Sequence, residues 1–197
     1  MRLHLWLLCR RNKSRKKVEI ITPRMILRPL SASDGPALAK ATDESWDDLN
    51  KWMRWADDRK ERTDIGNCTL YTRLCGQKFS MKHDFVFGGF AKNSDQFILT
   101  SRLAYYDQEP DSYEFCGYWC RTNQQNKGYM TEAVQAIVEY AFDKLGAKKL
   151  YIKHAAGNDK ARAVMDKLGF KEEKILSNAH QLPNGQIIDE YLLSLTH

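Results

Sequence analysis

The residues best suited to chemistry lie in a polar turn between a predicted strand and a predicted helix. The strand ends at Trp119 and Cys120, the turn covers residues 121–127, and Gly128 precedes an amphipathic helix. Such a junction points several backbone N–H groups into one space, and the positive end of the helix dipole points the same way. Lys127 adds a full charge, and Gly128 lets a ligand approach the backbone. These features predict a site for a phosphate or pyrophosphate.

This turn does not match the two best-known phosphate-binding motifs. Neither Gly-Lys-Ser nor Gly-Lys-Thr follows it, which excludes a P-loop, and the glycine spacing of a dinucleotide-binding fingerprint is absent. Polar turns before helices are common, so the turn alone indicates only an anion site. No cysteine pair has CxxC spacing, and no histidine lies at zinc-site spacing from the five cysteines, so no metal is predicted.

Two residues are candidates for a general base on local sequence alone. Glu114 lies on the predicted strand before the turn, between Tyr113 and Phe115, where burial would raise a carboxyl pKa toward a useful range. The alternative interpretation of Glu114 is a salt bridge or a position on the sheet surface. His154 ends a later predicted strand, where it is either a base or a structural residue.

The N-terminal half of the chain has helical segments followed by a strand meander. A first strand is interrupted near Pro23, and the apolar spacing of Trp46, Leu49, Trp52 and Met53 indicates one face of a helix. The predicted helices cover residues 35–42, 45–55 and 63–82. The predicted antiparallel strands cover residues 85–91, 97–106 and 113–120.

The C-terminal half alternates between strands and helices. Its predicted helices are residues 131–145 and 160–168, and its predicted strands are residues 149–154, 170–175 and 187–195. Gly146 and Gly169 end the two helices. An antiparallel run followed by strand–helix–strand–helix–strand–strand predicts one mixed α/β (α+β) domain.

Charge is unevenly distributed along the 197 residues. The first thirty hold nine Lys or Arg and one acidic residue, although the net charge of the whole chain is only +6. We therefore divide the chain into a basic tail, residues 1–18, and a near-neutral domain, residues 19–197. The tail predicts a disordered extension or a short arm that weakly binds anions on nucleic acid, on the ribosome or on a membrane surface.

Composition also indicates where in the cell the protein works. No apolar run approaches the roughly 18 residues of a membrane helix, so no membrane span is predicted. The odd number of cysteines without a pairing pattern favours free thiols in a reducing compartment. The cytoplasm is therefore the expected location.

Several segments together resemble the GNAT (GCN5-related N-acetyltransferase) family, and more narrowly the bacterial ribosomal-protein N-terminal acetyltransferases. They are residues 22–30, 117–119, 125–133 and 158–170. The family loop reads Gln/Arg-x-x-Gly-x-Gly/Ala and opens the helix that holds the CoA pyrophosphate. Gln125 and Gly128 match it, whereas Met130 departs from its last position. The resemblance covers about residues 19–195.

The resemblance implies an acetyl-CoA-dependent N-acetyltransferase that acts on a primary amine. It implies a single GNAT-like domain whose central, mostly antiparallel sheet is flanked by helices. The strand ending at Cys120 would splay from the strand over residues 151–154, and acetyl-CoA would lie in the gap. The residues expected to bind the co-substrate are Trp119, Cys120, Arg121, Gln125, Asn126, Lys127, Gly128, Tyr129, Met130, Thr131 and Asn158.

Proton transfer is assigned from the same resemblance. His180 lies ten residues after Phe170, where the ribosomal-protein enzymes carry a glutamate base. These enzymes place a serine acid at the position of Ala161, so a tyrosine such as Tyr151 or Tyr191 would supply the proton. Alternatively no acid is needed, because a thiol has a pKa of about 8.5 and its thiolate leaves readily. The candidate catalytic residues are Glu114, His180 and Tyr151.

The sequence leaves several amines as candidates for the acetyl acceptor. A protein N-terminus, such as that of a ribosomal protein, is one option, and a polyamine or aminoglycoside attracted by acidic residues over positions 43–58 is another. Two other classes compete with an enzyme: a non-catalytic acyl-CoA sensor, and a nucleic-acid-binding module that uses the tail. A homodimer is one option for the assembly.

Overall fold

The computed structural model describes residues 18–82 and 84–197 of the chain. The predicted basic tail, residues 1–18, lies outside the described residues except for Val18. The division into this tail and a domain over residues 19–197 therefore stays a prediction. Within the predicted domain, residue 83 alone is not described.

In the described part of the chain, eight strands form one open sheet. They are β1 (Ile20–Ile21), β2 (Met25–Pro29), β3 (Asp84–Ala91), β4 (Phe97–Tyr105), β5 (Ser112–Cys120), β6 (Lys149–Ala155), β7 (Lys171–Gln181) and β8 (Ile187–Thr196). Their spatial order is β1-β2-β3-β4-β5-β6-β8-β7. Neighbours are antiparallel except β5 and β6, which run parallel.

Six helices accompany this sheet over the described ranges. They are α1 (Gly35–Glu44), α2 (Trp46–Trp52), α3 (Arg59–Arg62), α4 (Ile65–Ser80), α5 (Tyr129–Tyr140) and α6 (Asp159–Lys167). A single π turn over Ala141–Leu145 extends α5. The prediction of one mixed, mostly antiparallel sheet flanked by helices is therefore confirmed.

Both faces of the sheet are covered, as the alternation along β3 shows. Phe85 and Phe87 belong to a first core that includes Ile137 of α5. Val86, between them, belongs to a second core that includes Leu49 of α2. Successive side chains of a strand point to opposite faces, so one strand contributes to two cores. The first core lies under α5 and α6, and the second lies under α1, α2 and α4.

The predicted helix over residues 63–82 corresponds to α4, and the short helix α3 precedes it. Gly76, which interrupts the helical pattern of α4, permits close packing, because a Cβ there would lie only 2.5 Å from the carbonyl oxygen of Leu30. On the facing helix α1, a Cβ on Gly35 would lie 2.3 Å from Oγ1 of Thr69. The uneven pattern therefore reflects a helix that approaches its neighbours too closely for a side chain at position 76.

Strand β7 is longer than the predicted strand over residues 170–175. It extends to Gln181 and is mostly exposed, because it lies at the edge of the sheet beside β8 alone. Two register shifts interrupt its pairing. An exposed edge strand lacks the apolar alternation on which sequence prediction depends, so its second half was missed. As a result, His180 lies in a strand, opposite Ile188.

The described residues carry three further general features. Cys68, Cys75, Cys116 and Cys120 are free thiols. No helix within residues 18–82 and 84–197 combines the length and apolar character that a membrane crossing requires. The same ranges contain no group of three or more His, Cys, Asp or Glu side chains arranged to hold a metal ion.

Candidate active site

A cleft forms where β5 and β6 part. The two strands pair from Ser112 with Lys149 to Phe115 with Ile152, and their pairing stops there. Strand β5 continues to Cys120 with β4 as its only paired neighbour. The splay predicted between these strands is thereby confirmed. The space bordered by this opening has a volume of about 690 Å³.

Most of the predicted co-substrate residues meet at this cleft. Those that line it are Trp119, Cys120, Gln125, Asn126, Gly128, Tyr129, Met130, Thr131 and Asn158. The facing wall comes from α2 and its C-terminal end, including Asp48, Trp52 and Met53, which were not predicted as site residues. Lys51, Lys160 and Lys167 also border the cleft and suit an anionic ligand.

The free edge of β5 presents backbone groups to the cleft. The N–H of Arg121 donates to the carbonyl oxygen of Ile98 on β4 at 2.9 Å. Backbone groups of an antiparallel strand alternate between its two sides. The N–H and C=O groups of Tyr118 and Cys120 therefore point away from β4, into the cleft. They offer the donors and acceptors that an extended amide-containing ligand requires.

The turn before α5 has the backbone geometry of an anion site. Asn126 and Gly128 have φ angles of 60° and 80°, both in the left-handed region. Glycine adopts this conformation without strain, and asparagine tolerates it. Gly128 is also the N-cap of α5, so the unpaired N–H groups of the first turn of α5 open toward the cleft.

Arg24 and Glu132 form a clamp that holds this turn, which we call the Arg24–Glu132 clamp. Nε of Arg24 donates to Oε2 of Glu132 at 2.7 Å, and the backbone N–H of Arg24 donates to Oε1 at 2.9 Å. Nη1 of Arg24 donates to the carbonyl oxygen of Lys127 at 2.7 Å, and its guanidinium lies 4.2 Å from the ring centroid of Tyr129. The clamp therefore ties the β1–β2 connection to the C-terminal end of the turn and to the first turn of α5.

The clamp lowers the pKa of Glu132. Burial alone would raise this pKa, but hydrogen bonds from Thr22 and Arg24 and the charge of Arg24 bring it below its usual value. The hydroxyl of Thr22 donates to Oε1 of Glu132 at 2.6 Å. A carboxylate with so many donors favours the ionised form.

We expect Glu132→Gln to destabilise the protein by about 1–2 kcal/mol at pH 7, because a neutral amide oxygen accepts weaker hydrogen bonds than a carboxylate does. Because the pKa of Glu132 is lower in the folded than in the unfolded state, its ionised form stabilises the fold. This contribution to the free energy of unfolding is fully present above the pKa of an unfolded glutamate, about 4.3, and is lost as pH falls through the pKa of the folded state. Urea unfolding at several pH values checks this. The difference between wild type and variant should shrink below about pH 4, and a constant difference would contradict the role of the charge.

Gln125 connects the turn to both neighbouring helices. Its Nε2 donates to Oδ2 of Asp48 at 3.0 Å, and its Oε1 accepts from Nζ of Lys160 at 3.0 Å. Asn158 begins α6 in a similar way, because its Oδ1 accepts from the N–H of Ala161 at 3.2 Å. Both residues hold the walls of the cleft in position.

Two predicted co-substrate residues direct their side chains elsewhere. The guanidinium of Arg121 is buried and pairs with Glu44, with Nε 2.6 Å from Oε2. Nζ of Lys127 donates to the carbonyl oxygen of Asn123 at 2.8 Å and to Oε1 of Gln124 at 3.1 Å. Neither residue is among those that line the cleft. Their assignment to the co-substrate stays a prediction.

Trp119 and Cys120 line the cleft from partly buried positions. Trp119 is 8% exposed and packs on Phe97, with ring centroids 5.9 Å apart. Burial raises the pKa of the Cys120 thiol to about 12, although the charge of Lys127 opposes this shift. Cys120 is therefore a neutral thiol near pH 7 and is not a nucleophile.

The three predicted catalytic residues occupy different surroundings, and none lines the cleft directly. Glu114 is paired with Nζ of Lys153 at 2.7 Å. The hydroxyl of Tyr151 donates to Glu109, and burial raises its pKa. His180 contacts the cleft wall, because its Nε2 lies 3.0 Å from the carbonyl oxygen of Trp52.

His180 has two partners that the sequence did not indicate. Its Nδ1 lies 3.1 Å from Oε1 of Glu190 on β8 and 3.3 Å from Nη2 of Arg54. Arg54 follows α2, so its proximity to β7 depends on the fold. His154, the other histidine considered, is 7% exposed and stacks on Tyr191, and burial lowers its pKa. His154 is therefore neutral near pH 7 and inaccessible.

A parallel strand pair that opens into a cleft, with an unpaired helix N-terminus at its mouth, fits an acyltransferase that uses a CoA thioester. The family model described as an acetyltransferase (GNAT) domain matches residues 24–171 of the chain. The chain therefore belongs to the GNAT family. It is an N-acetyltransferase with acetyl-CoA as its acyl donor, as predicted, which disfavours the alternative of a non-catalytic sensor.

Relatives and solved structures agree with this assignment. YdaF of Bacillus subtilis, provisionally named a ribosomal N-acetyltransferase, is 26% identical over 161 residues, which are 78% of this chain and 81% of YdaF. The ribosomal-protein-S5-alanine acetyltransferase of Vibrio fischeri has a similar fold, with a TM-score of 0.82 at 19% identity over 91% of this chain and 96% of that one. RimL, a ribosomal L7/L12 α-N-protein acetyltransferase solved with coenzyme A, has a TM-score of 0.81 at 19% identity over 91% and 98% of the two chains.

Proposed function

We propose that this N-acetyltransferase acetylates the N-terminal α-amine of a protein, and that a ribosomal protein is the acceptor to test first. The observation that carries the proposal is the group formed by His180, Glu190 and Arg54 at the end of α2. The ribosomal substrates in the names of YdaF, RimL and the Vibrio fischeri enzyme support it.

The group is arranged to receive a cation. The exposed guanidinium of Arg54 lies against Nδ1 of His180 at 3.3 Å and near Oε1 of Glu190 at 3.9 Å. An acceptor ammonium entering beside α2 would meet the same two acceptors. Trp52 and Met53, which precede Arg54 in the chain, line the cleft on the side of this group. We therefore assign the acceptor end of the site to this group.

An α-amine matches an imidazole base. An α-ammonium has a pKa of about 7.7–8.0 and a lysine about 10.4, so deprotonation at pH 7 costs about 1 kcal/mol for the former and nearly 5 kcal/mol for the latter. A histidine can remove the proton of an α-ammonium near neutral pH, directly or through a water. In this proposal Nε2 of His180 donates to the carbonyl oxygen of Trp52, which orients the ring and leaves Nδ1 to accept the proton of the amine. Glu190, beside Nδ1, stabilises the imidazolium that forms, and the cleft-facing amides of β5 polarise the thioester carbonyl.

We expect His180→Gln to lower kcat/KM at pH 7 by about 10²–10³-fold, the usual contribution of a general base. The acidic limb of the rate–pH curve should disappear, because the titrating group has been removed. Steady-state kinetics from pH 5.5 to 9 check this. Glu114→Gln is the matched control, since Glu114 is bound to Lys153 and should leave that limb in place. If Glu114→Gln moves the limb and His180→Gln does not, Glu114 is the base.

The acceptor is tested with peptides that separate the two kinds of amine. One set carries a free N-terminus and no lysine, and the other carries a blocked N-terminus and an internal lysine. We expect turnover with the first set and at least about 100-fold less with the second, because of the difference in deprotonation cost. A preference for the blocked lysine peptides, or for a polyamine or aminoglycoside, would contradict the proposal.

We further propose that the enzyme works in the cytoplasm, which the free thiols of its described part support. Weak binding of nucleic acid by residues 1–18 and assembly as a homodimer stay predictions. Removal of residues 1–18 and measurement of the molecular mass in solution would test them.

A further inference from the structure

The guanidinium of Arg54 occupies the place that the proposed function assigns to the acceptor ammonium. Its Nη2 donates to the carbonyl oxygen of Ala179, and the same atom lies 3.3 Å from Nδ1 of His180 and 3.9 Å from Oε1 of Glu190. One guanidinium nitrogen therefore faces three acceptors. An ammonium carries three N–H donors, so a protonated primary amine in this place matches the same three acceptors.

A bulge in β7 contributes two of these acceptors. The register of β7 on β8 shifts between Leu176 and His180, where three residues of β7 stand opposite one residue of β8. Bulges of this kind change the direction of side chains and carbonyl groups and are frequent beside active sites. Here the carbonyl oxygen of Ala179 and the ring of His180 both face Arg54, which follows the end of α2.

The guanidinium and an acceptor ammonium cannot fill this place together. The side chains of His180 and Glu190 are only 12% and 14% exposed. A carboxylate so nearly buried requires a cation beside it, so Arg54 leaves only when another cation takes over its contacts. The side chain of Arg54 is itself 52% exposed, so it can turn into solvent without disrupting either core.

We propose that Arg54 is an internal stand-in for the acceptor, which must displace the guanidinium in order to bind. The inference rests on the proposed function and concerns the regulation of the same site. In the free enzyme Nε of Arg54 donates to Nδ1 of His180 at 3.4 Å, and Nδ1 is the atom that receives the proton of the amine. The base is therefore uncovered only when an acceptor arrives. Arg54 thus sets the affinity for the acceptor.

Arg54→Ala tests the proposal with Arg59→Ala as the matched control. Arg54→Ala should lower KM for a lysine-free peptide with a free N-terminus by about 3- to 10-fold, because a site that is filled for most of the time has a proportionally weaker apparent affinity. KM for acetyl-CoA should not change, since Arg54 is not among the residues that line the cleft. Arg59 is 53% exposed and pairs with Asp43, and its substitution should leave both KM values as in wild type.

Guanidinium chloride, far below denaturing concentrations, tests the occupancy of the vacated place. It should inhibit Arg54→Ala competitively against the peptide and bring the peptide KM back toward the wild-type value. Wild type and Arg59→Ala should respond to it only as they respond to sodium chloride at the same concentration. If Arg54 were a brace that holds β7 in place, Arg54→Ala would instead raise the peptide KM, and guanidinium would lower it again.

Nuclear magnetic resonance makes the test independent of turnover. The imidazole signals of His180, identified by their loss in His180→Gln, should move when guanidinium chloride is added to Arg54→Ala and should not move with sodium chloride. Movement without turnover of any N-terminal peptide would support the role of Arg54 and refute the proposed acceptor. Turnover of such peptides with an unchanged or raised peptide KM in Arg54→Ala would overturn the role of Arg54 and leave α-amine acetylation intact.

Discussion

Gly128→Glu should reduce the affinity for acetyl-CoA by at least about 100-fold, or 2.7 kcal/mol at 1.36 kcal/mol per decade. Gly128 has a φ of 80°, which a residue with a Cβ adopts only with strain. The new carboxylate would also occupy the N-terminus of α5, where it would satisfy the N–H groups that we assign to the pyrophosphate and repel that ligand. Calorimetric titration with acetyl-CoA measures the loss.

Gly146→Glu is the control for backbone strain. Gly146 follows the π turn that extends α5, has a φ of 73°, and has open space where its Cβ would lie. Both variants should lose stability, but only Gly128→Glu should lose the ligand. Equal affinity for acetyl-CoA in Gly128→Glu and wild type would refute the anion site at the start of α5.

Trp119→Ala should destabilise the protein by about 3–5 kcal/mol, the usual cost of removing a large aromatic side chain from a core. Trp119 is 8% exposed and belongs to the second core, where it packs on Phe97. Its substitution would leave a cavity directly beside the cleft. Urea unfolding measures the stability, and calorimetry shows whether the co-substrate still binds at temperatures where the variant is folded.

Trp55→Ala supplies the comparison for the same substitution. Trp55 is 37% exposed, so its substitution should cost less than that of Trp119, because less buried apolar area is lost. Trp119→Phe should retain most of the stability and the affinity, because the ring still fills the core and the backbone of β5 still faces the ligand. A large loss of affinity in Trp119→Phe without loss of stability would show that the indole itself binds the co-substrate.

The sequence was sufficient for the elements that have a clear hydrophobic period. Strands β3 to β6 and helix α5 follow from apolar alternation and from an apolar stripe ended by Gly146. The turn predicted to bind an anion is local as well, because Gly128 and the helix that follows are adjacent in the chain. These parts required no knowledge of tertiary contacts.

The partners that complete the site lie far apart in the chain, and no local pattern indicates them. Arg24 and Glu132 are 108 residues apart, and Arg54 and His180 are 126 apart. Glu190 was missed because two adjacent acidic residues, Asp189 and Glu190, have no distinctive spacing within β8. Pairing of this kind is set by the order of strands in the sheet, which periodicity does not determine.

The short contact between β5 and β6 makes the sheet two halves joined by four residue pairs. Beyond Phe115 and Ile152 no strand pairing connects the two halves, so only the helices and any ligand bound in the gap hold them together there. A ligand that bonds to the open edge of β5 thus completes the sheet where the chain itself does not. Binding energy therefore adds directly to the cohesion of the two halves, and the enzyme should unfold more cooperatively when its donor is bound.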